Sequence, residues 1–192
     1  LWLEINWILT FNYIGIALLL WGDFIYTLDK ISFKIYNSVA ELPALWDTVA
    51  QSNVFLQTPY LTVLEKSAPV NMECFYIGIF ENSELIGVSL AQYLDLNKLE
   101  SFGERDKWFK IAIRNFIFKN FASHTLFLGN NMITGQNGYV FSKEIDFNHI
   151  SEILLQSADE ITMYFKKIGI SIHLVSFKDF YDHCSVELKK YR

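Results

Sequence analysis

The chain has 192 residues, a formal net charge of −5, 52% hydrophobic residues and 17% aromatic residues. This length accommodates one domain or slightly more, and so apolar a composition excludes an intrinsically disordered chain. The negative charge argues against a general nucleic-acid coat, which is normally basic, so we expect no DNA partner. Cys74 and Cys184 lack paired spacing, which indicates reduced thiols in a cytoplasmic protein.

The first 29 residues are mostly apolar, and we assign 1–29 to an N-terminal extension that precedes a domain over 30–192. Residues 5–22 carry no charge, which brings them to the lower length limit of a membrane helix. Asn6, Asn12 and the lack of a preceding Lys or Arg count against a span. Three interpretations stay open: a non-native upstream extension, a loosely docked apolar helix and, less favoured, a membrane span.

From residue 30 onward the pattern changes to that of strands and helices. Residues 31–36 alternate apolar and polar side chains, which predicts a half-buried strand. Ser38 and Glu41 have capping-box spacing and predict a helix start. Thr58 and Pro59 predict a second helix start, and Pro69 predicts its end. The apolar face of the first of these helices is predicted to be Leu42, Leu45, Trp46 and Val49.

Two apolar runs at 74–80 and 85–92 are separated by a polar turn at 81–84, which predicts a β-hairpin. Gly78 and Gly87 lie inside these runs and indicate close backbone approach or a bulge.

The second half alternates helices and strands. Its predicted elements are a helix at 104–120, a strand at 124–128, a glycine-bearing loop at 129–138, a short extra strand at 139–141, a helix from 148 to 168 and a strand at 170–177. Alternating helices and strands with one antiparallel hairpin predict a mixed α/β fold.

Four short phrases carry a resemblance: FLQTPYL at 55–61, YIGIF at 76–80, LIGV at 85–88 and AQ at 91–92. With this order of elements they resemble the opening of bacterial GNAT acyltransferases related to the FemAB-like group, which includes the peptidoglycan-bridge aminoacyltransferases. The resemblance covers residue 31 to the end. It implies a GNAT-like mixed sheet flanked by helices and truncated at the C-terminus, because the fold continues with another helix and two strands.

The same resemblance implies the N-terminal part of an N-acyltransferase, which moves an acyl or aminoacyl group to an amine. The donor, acetyl-coenzyme A or another acyl donor, would bind in a second repeat. The implied partners are a small-molecule or peptidoglycan-precursor-like amine acceptor and an aminoacyl-tRNA, without a metal. The alternative is a non-catalytic GNAT-like module that binds an acceptor or partner.

In that fold, the loop before the central helix turns its N–H groups toward the coenzyme A pyrophosphate. The corresponding loop here offers Gly135, Gln136, Asn137 and Gly138 as candidate cofactor-binding residues. The family's loop reads Gln/Arg-x-x-Gly-x-Gly/Ala directly before the helix, whereas residues 139–148 intervene here. An ordinary connecting loop is therefore favoured over a rebuilt coenzyme A site or an acceptor or partner surface.

The resemblance also implies a catalytic carboxylate that acts through water. Glu73, Glu81 and Asp95 lie at predicted strand ends, but nothing in the sequence selects one, so the catalytic residue stays unassigned.

Two other groups have ordinary explanations. The four histidines are scattered, and His183 and Cys184 lack the spacing of a structural metal site. Lys107, Lys110 and Arg114 share one predicted helix face. A solvated surface is favoured for that face over a grip on an anionic acceptor or on RNA.

Overall fold

The computed structural model describes residues 31–96, 123–135 and 138–178. The predicted extension at 1–29, the helix at 104–120 with its basic face, and His183 and Cys184 lie outside these ranges. The chain divides into two units between Ser32 and Phe33. Apart from the first two residues of β1, everything described below belongs to the second unit.

The described residues form a mixed α/β fold, which confirms the predicted fold class. Three single-turn 3-10 helices (Val39–Glu41, Ala50–Ser52 and Val54–Leu56) accompany the main elements. These main elements are, in chain order, β1 (Ile31–Tyr36), α1 (Trp46–Val49), α2 (Thr58–Ser67), β2 (Met72–Glu81), β3 (Glu84–Asp95), β4 (His124–Leu128), β5 (Tyr139–Phe141), α3 (Phe147–Lys167) and β6 (Leu174–Phe177).

One mixed sheet organises these elements, with the strand order β1-β2-β3-β4-β6. β2 and β3 form the predicted antiparallel hairpin. β4 and β6 are parallel and are connected through α3, because a parallel pair needs a long crossover. β3 is long enough to pair with two strands on one side: its residues Ala91–Asp95 pair with β4, and Gly87–Ser89 pair with β5.

The core lies on both faces of this sheet. On one face α1 and α2 pack against β2 and β3 through fully buried Trp46, Leu61 and Tyr76. The Trp46 indole N–H donates to the Leu56 carbonyl at 2.7 Å, so this large side chain is buried with its polar atom satisfied. On the other face Phe165 of α3 stacks on Tyr93, with ring centroids 4.1 Å apart.

The predicted helix after Ser38 is shorter and more broken than expected. Ser38 does cap a helix, since its hydroxyl accepts from the Ala40 N–H at 3.3 Å, but this helix is a single 3-10 turn. Pro43 then interrupts the helix, because the residue before a proline disfavours the helical backbone conformation. Consequently Leu45, predicted to face the core, is 57% exposed.

Several strand boundaries also differ from the prediction. The hairpin strands extend to Glu81 and Glu84, and Asn82 and Ser83 alone form the turn with φ of 50° and 70°. Two consecutive residues with positive φ are the signature of the tight turns that match strand twist. The last strand begins at Leu174 rather than at residue 170, because the chain first closes α3, with the Ile170 N–H donating to the Phe165 carbonyl at 2.9 Å.

The predicted close approach at the strand glycines is confirmed. A methyl group at Gly87 would lie 2.5 Å from Cε1 of Phe141, which shows that the aromatic ring of β5 lies directly on the β3 backbone. Near Gly78 the β2–β3 register shifts between Ile79 and Phe80.

We expect Gly87→Ala to lower the free energy of unfolding by about 1–3 kcal/mol, the usual cost of overpacking. The double variant Gly87→Ala, Phe141→Ala should lose less free energy of unfolding than the two single variants lose together, by at least about 0.5 kcal/mol. Without the Phe141 ring, the new methyl group has room. Urea unfolding of the four proteins measures the coupling. Strict additivity would contradict the described contact.

Candidate functional site

The glycine-bearing loop at 129–138 lies where β4 ends. Because β4 and β6 are parallel, their carboxyl ends lie at one edge of the sheet, the edge where open α/β sheets bind ligands. Of the four predicted cofactor-binding residues, Gly135 and Gly138 are described, whereas Gln136 and Asn137 lie outside the described residues.

The two ends of this loop are closed on each other across the backbone of Leu90. The Gly129 N–H donates to the Leu90 carbonyl at 2.8 Å, and the Leu90 N–H donates to the Gly138 carbonyl at 3.2 Å. The hydroxyl of Ser89 adds a bond of 2.8 Å to the same Gly138 carbonyl. A methyl group at Gly138 would lie 2.5 Å from Cα of Gly129. The two ends of the loop therefore meet in a neck, at Gly129 and Gly138, where a side chain at position 138 has no room.

Two backbone N–H groups at the start of the loop already have partners within the chain. The Asn131 N–H donates to Oε1 of fully buried Gln92 at 2.6 Å. The Met132 N–H donates to Oδ1 of buried Asn130 at 2.9 Å. An anion-binding loop presents such N–H groups to its ligand instead. These two N–H groups therefore stabilise the loop itself and are not presented to a ligand.

Side chains from distant parts of the chain fix the same loop. Nδ2 of Asn130 donates to the hydroxyl of Tyr60 on α2 at 2.9 Å. Nζ of Lys178, just after β6, donates to the Asn130 carbonyl at 2.9 Å and also to the Ile133 carbonyl. The loop therefore links α2 to the end of β6.

The beginning of α3 is also capped from within. Asp146 accepts from the backbone N–H of Asn148 at 3.3 Å and from its side-chain amide at 3.2 Å. These hydrogen bonds, the side-chain one first, lower the pKa of Asp146. A carboxylate therefore sits at the positive end of the helix dipole, where a pyrophosphate would have to compete with it.

β4 and β6 stay paired up to the loop. Their ladder runs from Thr125 with Leu174 to Leu128 with Phe177, and the Lys178 N–H donates to the Leu128 carbonyl at 2.9 Å. The two strands therefore do not splay apart over these residues.

The three candidate carboxylates fall at two opposite ends of the hairpin. Glu81 lies at the turn and pairs with the Lys143 ammonium. Glu73 lies at the other end, opposite Tyr93 on β3. Asp95 is buried nearby, with Oδ1 3.8 Å from Nδ1 of His124. The structure therefore does not bring the three together.

Sequence reasoning missed a polar cluster at the end of β3. Nδ1 of His124 is 2.7 Å from the hydroxyl of Tyr93, and Nδ1 of His173 is 3.2 Å from the hydroxyl of Ser123. Burial, with smaller effects of Asp95 and Glu73, raises the pKa of Tyr93 to about 12, so its hydroxyl stays protonated at neutral pH. We call Tyr93, Asp95, Ser123, His124 and His173 the strand-end cluster.

The signal for this cluster was present but weak. His124 begins a predicted strand, and residue 95 follows the predicted strand at 85–92 by only three positions. Strand ends that pair in a sheet come together, but the pairing partners cannot be chosen from spacing alone.

A pocket of about 310 Å³ opens beside the start of β2. Glu65 on its wall accepts from the Val39 N–H at 2.7 Å and from the Tyr76 hydroxyl at 3.1 Å. Burial raises the pKa of Cys74 in the same wall to about 11, so the thiol is protonated and unreactive at neutral pH. The lining residues are Asn37, Glu65, Ala68, Met72, Glu73, Cys74, Phe75 and Tyr164.

Comparison of the chain with protein-family models, with curated proteins and with solved structures found no match. None of the helices within the described ranges has the length and hydropathy that a membrane crossing requires. No group of three or more His, Cys, Asp or Glu side chains converges as a metal site in the part of the chain that the structure describes.

The loop gives a matched pair of variants, one away from its neck at Gly135 and one at its neck at Gly138. Gly135 has φ of +80° and open space around its Cα, so Gly135→Ala should cost only the left-handed backbone strain of about 1–2 kcal/mol. Gly138→Ala should cost more, about 3 kcal/mol or above, because its methyl group meets the Gly129 backbone.

Urea unfolding monitored by tryptophan fluorescence compares the two variants. An equal or smaller loss of stability in Gly138→Ala would mean that the neck is not closed as described.

Proposed function

We propose that this chain is the acceptor-holding N-terminal part of a cytoplasmic GNAT-type N-acyltransferase related to the FemAB-like group. The observation that carries the proposal is the sheet order β1-β2-β3-β4-β6, in which β2, β3 and β4 are antiparallel neighbours and β4 pairs in parallel with β6 through the α3 connection. It accompanies the order of elements along the chain that the resemblance implies: a strand, short helices, a hairpin, and then strand, loop, helix and strand.

The reaction is the transfer of an acyl or aminoacyl group to an amine. The neutral amine attacks the carbonyl carbon of the donor and forms the new C–N bond. The bond to the carrier breaks, the carrier leaves as a thiolate or alkoxide, and the proton of the amine passes to a base.

We further propose that the acyl donor, acetyl-coenzyme A or an aminoacyl-tRNA, binds outside the loop at 129–138. Two features support this. The amides of Asn131 and Met132 donate to side chains of the same chain, and the Asp146 carboxylate occupies the start of α3. Both reduce the capacity of this region to hold a pyrophosphate.

The acceptor is proposed to be a small-molecule or peptidoglycan-precursor-like amine. The net charge of −5 and the carboxylates of Glu65 and Glu73 in the pocket wall favour a cationic ligand over an anionic one. These features support an ammonium-bearing acceptor without selecting a particular one.

The second candidate is a non-catalytic module that binds an acceptor or partner and takes part in no transfer. The internally satisfied loop favours this candidate as much as it favours a donor site elsewhere. The two candidates differ only in whether a product forms.

Titration of the chain with acetyl-coenzyme A and with lysine-containing peptidoglycan stem peptides tests the proposal. We expect a stem peptide to raise the melting temperature and acetyl-coenzyme A to give no heat of binding by calorimetry. Micromolar binding of acetyl-coenzyme A that Gly138→Ala abolishes would contradict a donor site elsewhere, and a lack of binding by every amine tested would contradict the acceptor role.

Mass spectrometry separates the two candidates. The longest polypeptide that carries this chain is incubated with a stem peptide and with acetyl-coenzyme A or aminoacyl-tRNA. An acylated peptide supports the transferase, and an unchanged peptide that nevertheless binds supports the module.

A further inference from the structure

Two histidines lie side by side at the amino ends of β4 and β6, at the opposite end of these strands from the glycine loop. The β4–β6 ladder begins at Thr125 and Leu174, so the residues just before them, His124 and His173, are neighbours. The His173 N–H donates to the His124 carbonyl at 2.8 Å. Their ring centroids are 5.6 Å apart, with an interplanar angle of 45°.

Each of the two rings has a hydroxyl group at Nδ1. The Tyr93 hydroxyl is 2.7 Å from Nδ1 of His124, and the Ser123 hydroxyl is 3.2 Å from Nδ1 of His173. A hydroxyl oxygen can accept a hydrogen bond from a protonated Nδ1, and a neutral ring in that tautomer carries its lone pair on Nε2. With Nδ1 donating to the hydroxyl oxygen, Nε2 of each ring would be left to bind a metal, as in metal sites where the other ring N–H of the histidine donates to an oxygen.

The separation of the two rings suits one shared ion. A ligating histidine nitrogen lies about 2.1 Å from zinc, so a ring centre lies roughly 3 Å from the metal and two ring centres are at most about 6 Å apart. The observed 5.6 Å falls within this limit.

The local charge and exposure also suit a cation. Asp95 pairs in register with His124, and its Oδ1 is 3.8 Å from Nδ1 of that ring. The His124 side chain is 21% exposed, and His173 is exposed, so an ion can approach the pair from solvent.

We propose that His124 and His173 form a two-histidine binding site for a divalent transition metal, with water completing the coordination. Imidazole ligands suit copper, nickel and zinc, and a site of this type should prefer Cu²⁺ over Ni²⁺ and Zn²⁺. Hard cations such as Mg²⁺ prefer oxygen ligands and should not bind there. This inference is independent of the acyl-transfer proposal, since it concerns the other end of the strands.

Calorimetric titration of the chain with CuCl₂, NiCl₂, ZnCl₂ and MgCl₂ tests the site. We expect Cu²⁺ to bind most tightly, Ni²⁺ and Zn²⁺ more weakly, and Mg²⁺ to give no binding at this site. Electron paramagnetic resonance of the Cu²⁺ complex should show coupling to two imidazole nitrogens.

Histidine variants locate the ion. His173→Gln should lower the affinity for Cu²⁺ at least tenfold while leaving the metal-free melting temperature nearly unchanged, because the side chain is exposed. His149→Gln is the matched control, since His149 is another exposed histidine, in the first turn of α3, and the variant should bind Cu²⁺ as the parent does.

The comparison is decided by the two variants together. Unchanged Cu²⁺ affinity in His173→Gln, an equal loss in His149→Gln, or the absence of Cu²⁺ binding in the parent would each overturn the proposal. His124→Gln serves as a second test if it remains folded by circular dichroism, and it should lose the same two-nitrogen signal.

Discussion

The pairing of Leu90 with both ends of the glycine loop is the constraint on which this end of the sheet depends. Leu90 is fully buried in β3, and its N–H and carbonyl bind Gly138 and Gly129. A buried backbone group without a partner costs free energy comparable to a lost hydrogen bond. The chain can therefore leave the sheet after β4 and return as β5 only if the two loop ends meet at this residue.

The two ends of the β4–β6 strand pair differ in the chemical groups that they carry. At the carboxyl ends of β4 and β6, amide and carbonyl groups are bound within the chain through Gln92, Asn130 and Lys178. At the amino ends, the buried hydroxyl groups of Tyr93 and Ser123 contact the imidazole rings of His124 and exposed His173. The hydrogen bonds at the loop end fix the backbone of the loop, whereas the strand-end cluster contains groups that can bind an ion.

The parts of the fold that sequence predicted are those set by local periodicity. The hairpin, β4 and the long helix α3 each carry an apolar repeat of the correct period, and their positions agree with the prediction within a few residues. The predicted length of the helix after Ser38 was wrong because Pro43 disfavours a continuous helix there. The apolar spacing from Leu42 to Val49 fitted a helix and gave no sign of this restriction.

The site was less predictable because its contacts are not local. The sequence singled out Gly138 as a candidate cofactor-binding residue. The structure instead shows that glycine is needed there because the backbone of Gly129 lies against it, a contact that depends on how β5 returns to β3. His124 and His173 are 49 positions apart, and only the register of a parallel ladder brings them together. A shift of one residue in that register would place the two rings on opposite faces.

Amide hydrogen exchange measured residue by residue by NMR tests the closed neck most directly. The Leu90 and Gly129 amides should exchange as slowly as that of Tyr76 in the middle of β2, because all three would open only with the sheet. Exchange of Leu90 and Gly129 at the rate of an unprotected loop amide, with Tyr76 still protected, would show that the loop does not close on β3.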